Sequence, residues 1–109
     1  MIRRADVFYN NIPTGQLMQL ENGDRYCFQY AEGYTGKPIS QTMPVRREVY
    51  EFDGFPPFFD GLLPEGFQLE ALLRQRKLDR NDRFGQLLQV GADTVGAVTV
   101  FAHQSKSPD

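Results

Sequence analysis

The residues of this chain that could do chemistry are few and far apart. His103 is the single histidine and Cys27 the single cysteine. A metal site needs several ligands, and His103 has no second histidine or cysteine pair near it in the sequence. At the border of a polar tail it reads as a solvated side chain, not a general base. Cys27 falls inside an alternating strand pattern, where a thiol behaves as a small hydrophobe and not as a nucleophile. Asp60 and Glu65 could imitate the carboxylate pair of an acid–base enzyme, but a helix N-cap and a first-turn acid explain them more simply. GADTVG (91–96) has a glycine at each end, yet it joins a helix to a strand and is no phosphate-binding loop. Arg74, Arg76, Lys77, Arg80 and Arg83 gather around one helix end and the next loop. The net charge is −2 and no aromatics interleave with these residues, so they read as a solvated, dipole-complementing face and not a nucleic-acid contact. No enzyme is expected, and no cofactor or metal ion.

The elements that must position these residues belong to one domain of 109 residues, expected to span 1–103 with a polar tail at 104–109. Hydrophobic residues make up 40% and charged residues 24%, ordinary for a globular protein. No apolar run approaches the length of a membrane span. MIRRADVFYNN at the N-terminus lacks the apolar stretch of a signal peptide, because Asp6 interrupts it. One cysteine permits no internal disulfide, so a cytoplasmic location is expected, with neither membrane nor nucleic acid as a direct partner.

The first half has the period of strands. ADVFYN (5–10), QLMQLE (16–21) and RYCFQY (25–30) predict a three-stranded antiparallel meander, with Asn22-Gly23 as a type I′ hairpin turn. In the third strand, Tyr26, Phe28 and Tyr30 share one face while Arg25, Cys27 and Gln29 share the other. EGYTGKP (32–38) is loop chemistry. ISQTMPV (39–45) predicts a short fourth strand that Pro44 confines to an edge or an end. RREVYEFDG (46–54) is charged and reads either way.

The second half changes period. Phe58, Phe59, Leu62 and Leu63 recur at helical spacing over 57–63. Pro64 suits the first turn of a second helix reaching about Lys77, with Glu65 near its positive end and Leu69, Leu72 and Leu73 as its buried stripe. A third helix starts near Asn81 or Asp82, turns Phe84, Leu87, Leu88 and Val90 inward and ends at Gly91. GAVTVF (96–101) predicts a last strand inside the sheet. The expected class is α+β: a small antiparallel sheet, made of the N-terminal meander plus the C-terminal strand, with two to three helices.

FPPFFDGLLPEG (55–66) is the densest apolar stretch. Prolines stiffen it, and each large side chain gains roughly 1.5–3 kcal/mol on full burial. It either plugs its own core or plugs a partner. Phe67, just beyond it, points nearly opposite the Leu69–Leu72–Leu73 stripe at about 100° per residue. Two readings stay open. Phe67 folds back beneath the preceding loop, or it stands exposed beside Pro64 and Phe55 as an apolar anchor.

FFDGLLPEG (58–66), PISQTMPV (38–45) and GADTVGAVTV (91–100) together resemble the N-terminal subdomain of HipA-type serine/threonine kinases. The resemblance spans nearly the whole chain and keeps the order of elements. It implies a subdomain that packs against the N-terminal lobe of a kinase. The kinase itself is missing: the chain has no HxDxxxxN-like catalytic loop and no DFG-like metal-binding segment. A freestanding copy is similar to the HipS-like antitoxins of three-component HipBST toxin–antitoxin systems. That similarity implies two partners, a HipT-like serine/threonine kinase toxin and a HipB-like helix-turn-helix DNA-binding protein in the same complex. The implied action is neutralisation of the kinase by binding. The same docking would also suit an activating or scaffolding subunit, or a component of a DNA-binding autorepressor complex. The implied contact face runs from Leu63 to Phe67. Phe67 is its anchor, Phe55, Pro64 and Glu65 surround it, and Asp93 and Thr94 offer polar contacts.

Overall fold

Alternation of large apolar residues with polar ones gives the chain a sheet with one buried face, and two of the helices pack on that face. In the computed structural model, residues 3–20, 24–94 and 96–103 are described. The Asn22-Gly23 turn and the tail at 104–109 lie outside them. Strands β1 (Arg3–Tyr9), β2 (Ile12–Gln19) and β3 (Arg25–Tyr30) form the expected antiparallel meander. The sheet is completed by β4 (Tyr50–Asp53) and β5 (Val98–Ala102), in the order β4-β3-β2-β1-β5.

The inner face of the sheet presents Ala5, Val7, Leu17, Tyr26, Phe28, Tyr30, Val98 and Val100, all buried. Against it pack Phe59 from α1 (Pro57–Asp60) and Phe84 and Leu87 from α3 (Arg83–Val90), with Ile39 and Met43 from the long β3–β4 connection. Among the described residues this core takes nothing from α2 (Gly66–Arg76).

Two strand expectations are corrected. The stretch 39–45 is no strand and holds only an isolated bridge between Ser40 and Met43. Pro44 has no N–H to offer a ladder. The Tyr30 hydroxyl takes the ladder's place, donating to the Met43 carbonyl and accepting from the Ile39 N–H at 3.1 Å. The fourth strand comes instead from the charged, ambiguous stretch, where Tyr50–Asp53 pairs with β3.

The last strand begins at Val98 and lies at the sheet edge, pairing with β1 alone. Burial of Val98 and Val100 comes from one face only, and Phe101 and Ala102 are exposed. The free edge is covered locally by a 3-10 turn at Gly91–Asp93 that follows α3. The Thr94 hydroxyl donates to the Val98 carbonyl, and Gly91 lies so close to the Val100 carbonyl that a Cβ there would overlap its oxygen. This covering limits strand addition by another chain. Gly91 has φ −61°, where Gly→Ala would otherwise stabilise by about 0.4–1 kcal/mol. The clash reverses the sign. Gly91→Ala should destabilise by about 1–3 kcal/mol in urea unfolding, and a stabilised variant would mean that the turn yields freely.

Asp82 joins the first strand to the third helix. It caps α3 as the sequence predicts, its Oδ1 accepting from the Gly85 N–H at 3.1 Å. Arg3 donates to both its oxygens, at 2.7 and 3.2 Å, and lies over the Phe84 ring at 5.0 Å from the centroid. The Arg3 hydrogen bond holds the Asp82 carboxyl below its ordinary range; burial opposes it, and the Gly85 N–H and the Arg3 charge add to it. A depressed carboxyl stabilises the fold above the unfolded pKa of about 3.9, and the gain is lost as pH falls through the lower folded value. Asp82→Asn keeps the cap and removes the charge. Its deficit at pH 7 should be below about 1 kcal/mol, because the pair is one-third exposed. The gap to wild type should close on acidification below about pH 4. A pH-independent gap in unfolding titrations would exclude the ion pair as its source.

Candidate partner-binding surface

The segment 55–67 divides in two. Its first part plugs the protein's own core. Pro56 and Phe59 are fully buried, and the Phe59 ring lies 5.9 Å from that of Phe28. Phe55, Phe58, Leu62 and Leu63 are half-buried and pack on the core. Phe55 meets Tyr26 edge-on at 5.3 Å, so its ring is a core contact before it is anything else.

After Leu63 the chain leaves the body. Pro64 disfavours helical backbone at the residue before it, Glu65 is extended (φ −131°, ψ 164°) and Gly66 takes φ +60°. A side chain with a Cβ is strained at such a φ, whereas glycine is not. Helix α2 then starts at Gly66, so Pro64 precedes it instead of occupying its first turn. Glu65 stands at the N-cap without a side-chain capping bond. Lys77 closes α2 in the left-handed conformation, φ 55°.

No residue of α2 is fully buried. The Leu69, Leu72 and Leu73 stripe, expected to be buried, is only half-buried, because the core is already closed by α1 and α3. Phe67 is 95% exposed. It does not fold back beneath the preceding loop. Among the described residues Phe67 is the most exposed of the large hydrophobics, ahead of Ile12 and Phe101, and it stands on a helix that gives nothing to the core.

The other predicted contacts are placed less favourably. Thr94 spends its hydroxyl on the Val98 carbonyl, while Asp93 is exposed on the 3-10 turn. Both belong to the β5 edge, whereas Leu63, Pro64, Glu65 and Phe67 follow one another from the core rim into α2.

The residues considered for chemistry are engaged elsewhere. Asp60 is not an N-cap; it ends α1 and pairs with Arg83 at 3.4 Å. His103 is not freely solvated. It is half-buried, its Nδ1 3.0 Å from Asp6 Oδ1, and Gln16 donates to the same oxygen at 3.1 Å. Sequence could not reveal this contact, since the partners are joined only by the β1–β5 pairing. Burial pushes the Cys27 thiol up, with Glu51 adding to the effect, which disfavours a nucleophilic thiolate. Among the described residues no three His, Cys, Asp or Glu side chains gather as a metal site, and no helix is long and apolar enough to cross a membrane.

The comparisons with known proteins agree with one another. The family model of the HipA N-terminal domain matches residues 5–101. An uncharacterized protein of Haemophilus influenzae is 29% identical over 100 residues, which cover 92% of each chain. A putative kinase of Sinorhizobium fredii is 30% identical over 104 residues, covering 92% of this chain and 24% of the kinase. The chain therefore spans about a quarter of that relative's length. Among solved structures, the N-terminal domain of HipA toxin has the same fold, with a TM-score of 0.75 at 24% identity over 97% of both chains.

Proposed function

This chain belongs to the HipA N-terminal domain family, and we propose that it acts by binding a HipA-like serine/threonine kinase and neutralising it, as an antitoxin of the HipS kind. The observation that carries this reading is Phe67, 95% exposed at the head of a helix that gives nothing to the core. A domain whose relatives include part of a longer putative kinase has reason to keep an apolar face for that neighbour. Leu63, Pro64, Glu65 and Phe67 form the contact face. Phe67 enters an apolar pocket on the kinase N-lobe, and Phe55 supports the face from the core. Asp93 and Thr94 are peripheral at most. Occupying that lobe keeps the kinase from closing productively around its nucleotide and substrate. A HipB-like helix-turn-helix DNA-binding protein belongs to the same complex. The domain itself does no chemistry.

The test is co-expression of this chain with any HipA-like kinase encoded alongside it. Growth arrest caused by the kinase should lift when the chain is present. Deeper arrest would overturn neutralisation and assign the same surface to an activating subunit.

A further inference from the structure

We infer that the partner surface receiving Phe67 is a groove that also carries a carboxylate for Arg74, about 10 Å farther along the α2 axis. This inference rests on the kinase partnership proposed above and specifies the chemistry of its interface. Arg74 lies seven positions beyond Phe67, so at about 1.5 Å and about 100° per residue they share one face of the helix. Ala71 lies between them on that face. All three are exposed. The half-buried leucines occupy the opposite side, so the outward stripe of α2 reads large apolar, small, cationic. The positions have the i, i+4, i+7 spacing by which a helix meets a groove, with Phe67 as the single large apolar anchor and Arg74 as a charged one. The methyl of Ala71 lets a partner approach the helix closely at the middle of the contact.

The charge balance of α2 and its neighbours leaves the exposed Arg74 without a counter-charge among the described residues. Five of the chain's 12 basic residues and three of its 14 acidic residues fall within 66–83, making that segment cationic on an anionic chain. Its acids are committed. Glu70, the acid nearest the stripe, lies 2.8 Å from Arg80. Asp82 is held by Arg3, and Asp79 accepts from the Asn81 N–H at 2.8 Å. Arg83 uses Asp60. Arg74, Arg76 and Lys77 have no ion pair among the described residues. The C-terminal end of a helix dipole is worth roughly half a negative charge, which three cations exceed several-fold. Dipole complementation therefore does not account for all of them. Of the three, Arg74 is the one aligned with Phe67, Lys77 flanks the stripe and Arg76 points to the leucine side.

Binding of the chain to a purified HipA-like kinase, one encoded alongside it where the genome holds one, measured by calorimetry at several salt concentrations, tests this. Arg74→Glu should weaken binding about tenfold or more and flatten the salt dependence. Arg76→Glu, of the same charge change on the opposite side, should stay within about twofold. Ala71→Arg adds positive charge and bulk together; a loss of about tenfold identifies close approach, because charge alone would strengthen binding. Equal effects of Arg74→Glu and Arg76→Glu, or unimpaired binding by Ala71→Arg, overturn the groove while leaving the kinase partnership intact. A wild-type chain that does not bind the kinase overturns the proposed function, and the groove falls with it.

Discussion

Phe59→Ala should lower the unfolding free energy by about 3–5 kcal/mol, the usual cost of removing a fully buried phenylalanine. Phe59 has no exposed surface, and its ring meets Phe28 at 5.9 Å and Phe58 at 5.2 Å. It is the largest fully buried side chain of the 55–66 segment, and the single-turn α1 has no other fully buried residue to hold it. The cavity cannot collapse cheaply, because Pro56 and Pro57 stiffen the approach to Phe59. Against a total stability of about 5–15 kcal/mol for a domain of ordinary size, the loss is severe. Urea unfolding at pH 7 should show the midpoint falling with little change in slope. Phe59→Leu, which keeps most of the volume, should recover most of the loss. A variant with an unchanged midpoint would show that the segment is not part of the core.

Phe67→Ala should do the opposite. The side chain is 95% exposed, so its removal leaves no cavity and the midpoint should move by no more than about 0.5 kcal/mol. Binding to the kinase should weaken by about 2 kcal/mol or more, as for a central aromatic anchor, which is roughly thirtyfold in Kd. Phe67→Leu should lose less, since a branched aliphatic fills part of the same pocket. Unchanged affinity for Phe67→Ala would remove the anchor and, with it, the main support for a docking role of this surface. These two phenylalanines sit eight positions apart in one apolar stretch, and their roles diverge because the chain turns out of the body between them.

That divergence marks how far the sequence could be read. The alternation of Tyr26, Phe28 and Tyr30 located β3 and its inward face, since period two is a property of the extended backbone itself. Asp82 was legible as a cap because its partner, the Gly85 N–H, lies within the same helix turn. The meander, the three helical segments and the family resemblance rest on signals of this local kind. Phe67 was visible as an oddity, pointing away from the leucine stripe, but its exposure was not decided there.

What failed in the reading failed for want of distant partners. ISQTMPV has strand composition, yet Tyr30 supplies its hydrogen bonds from the core side and no ladder forms. His103 reads as solvated until β5 pairs with β1 and brings Asp6 beside it. The leucines of α2 have the spacing of a buried stripe, but α1 and α3 already fill the space over the sheet. Residue order and side-chain period thus determined the elements, because those depend on contacts within a turn or a pleat. Only the tertiary structure decided which apolar face stayed uncovered, because burial depends on which surface closes the core first, and neighbours in sequence carry no record of that competition.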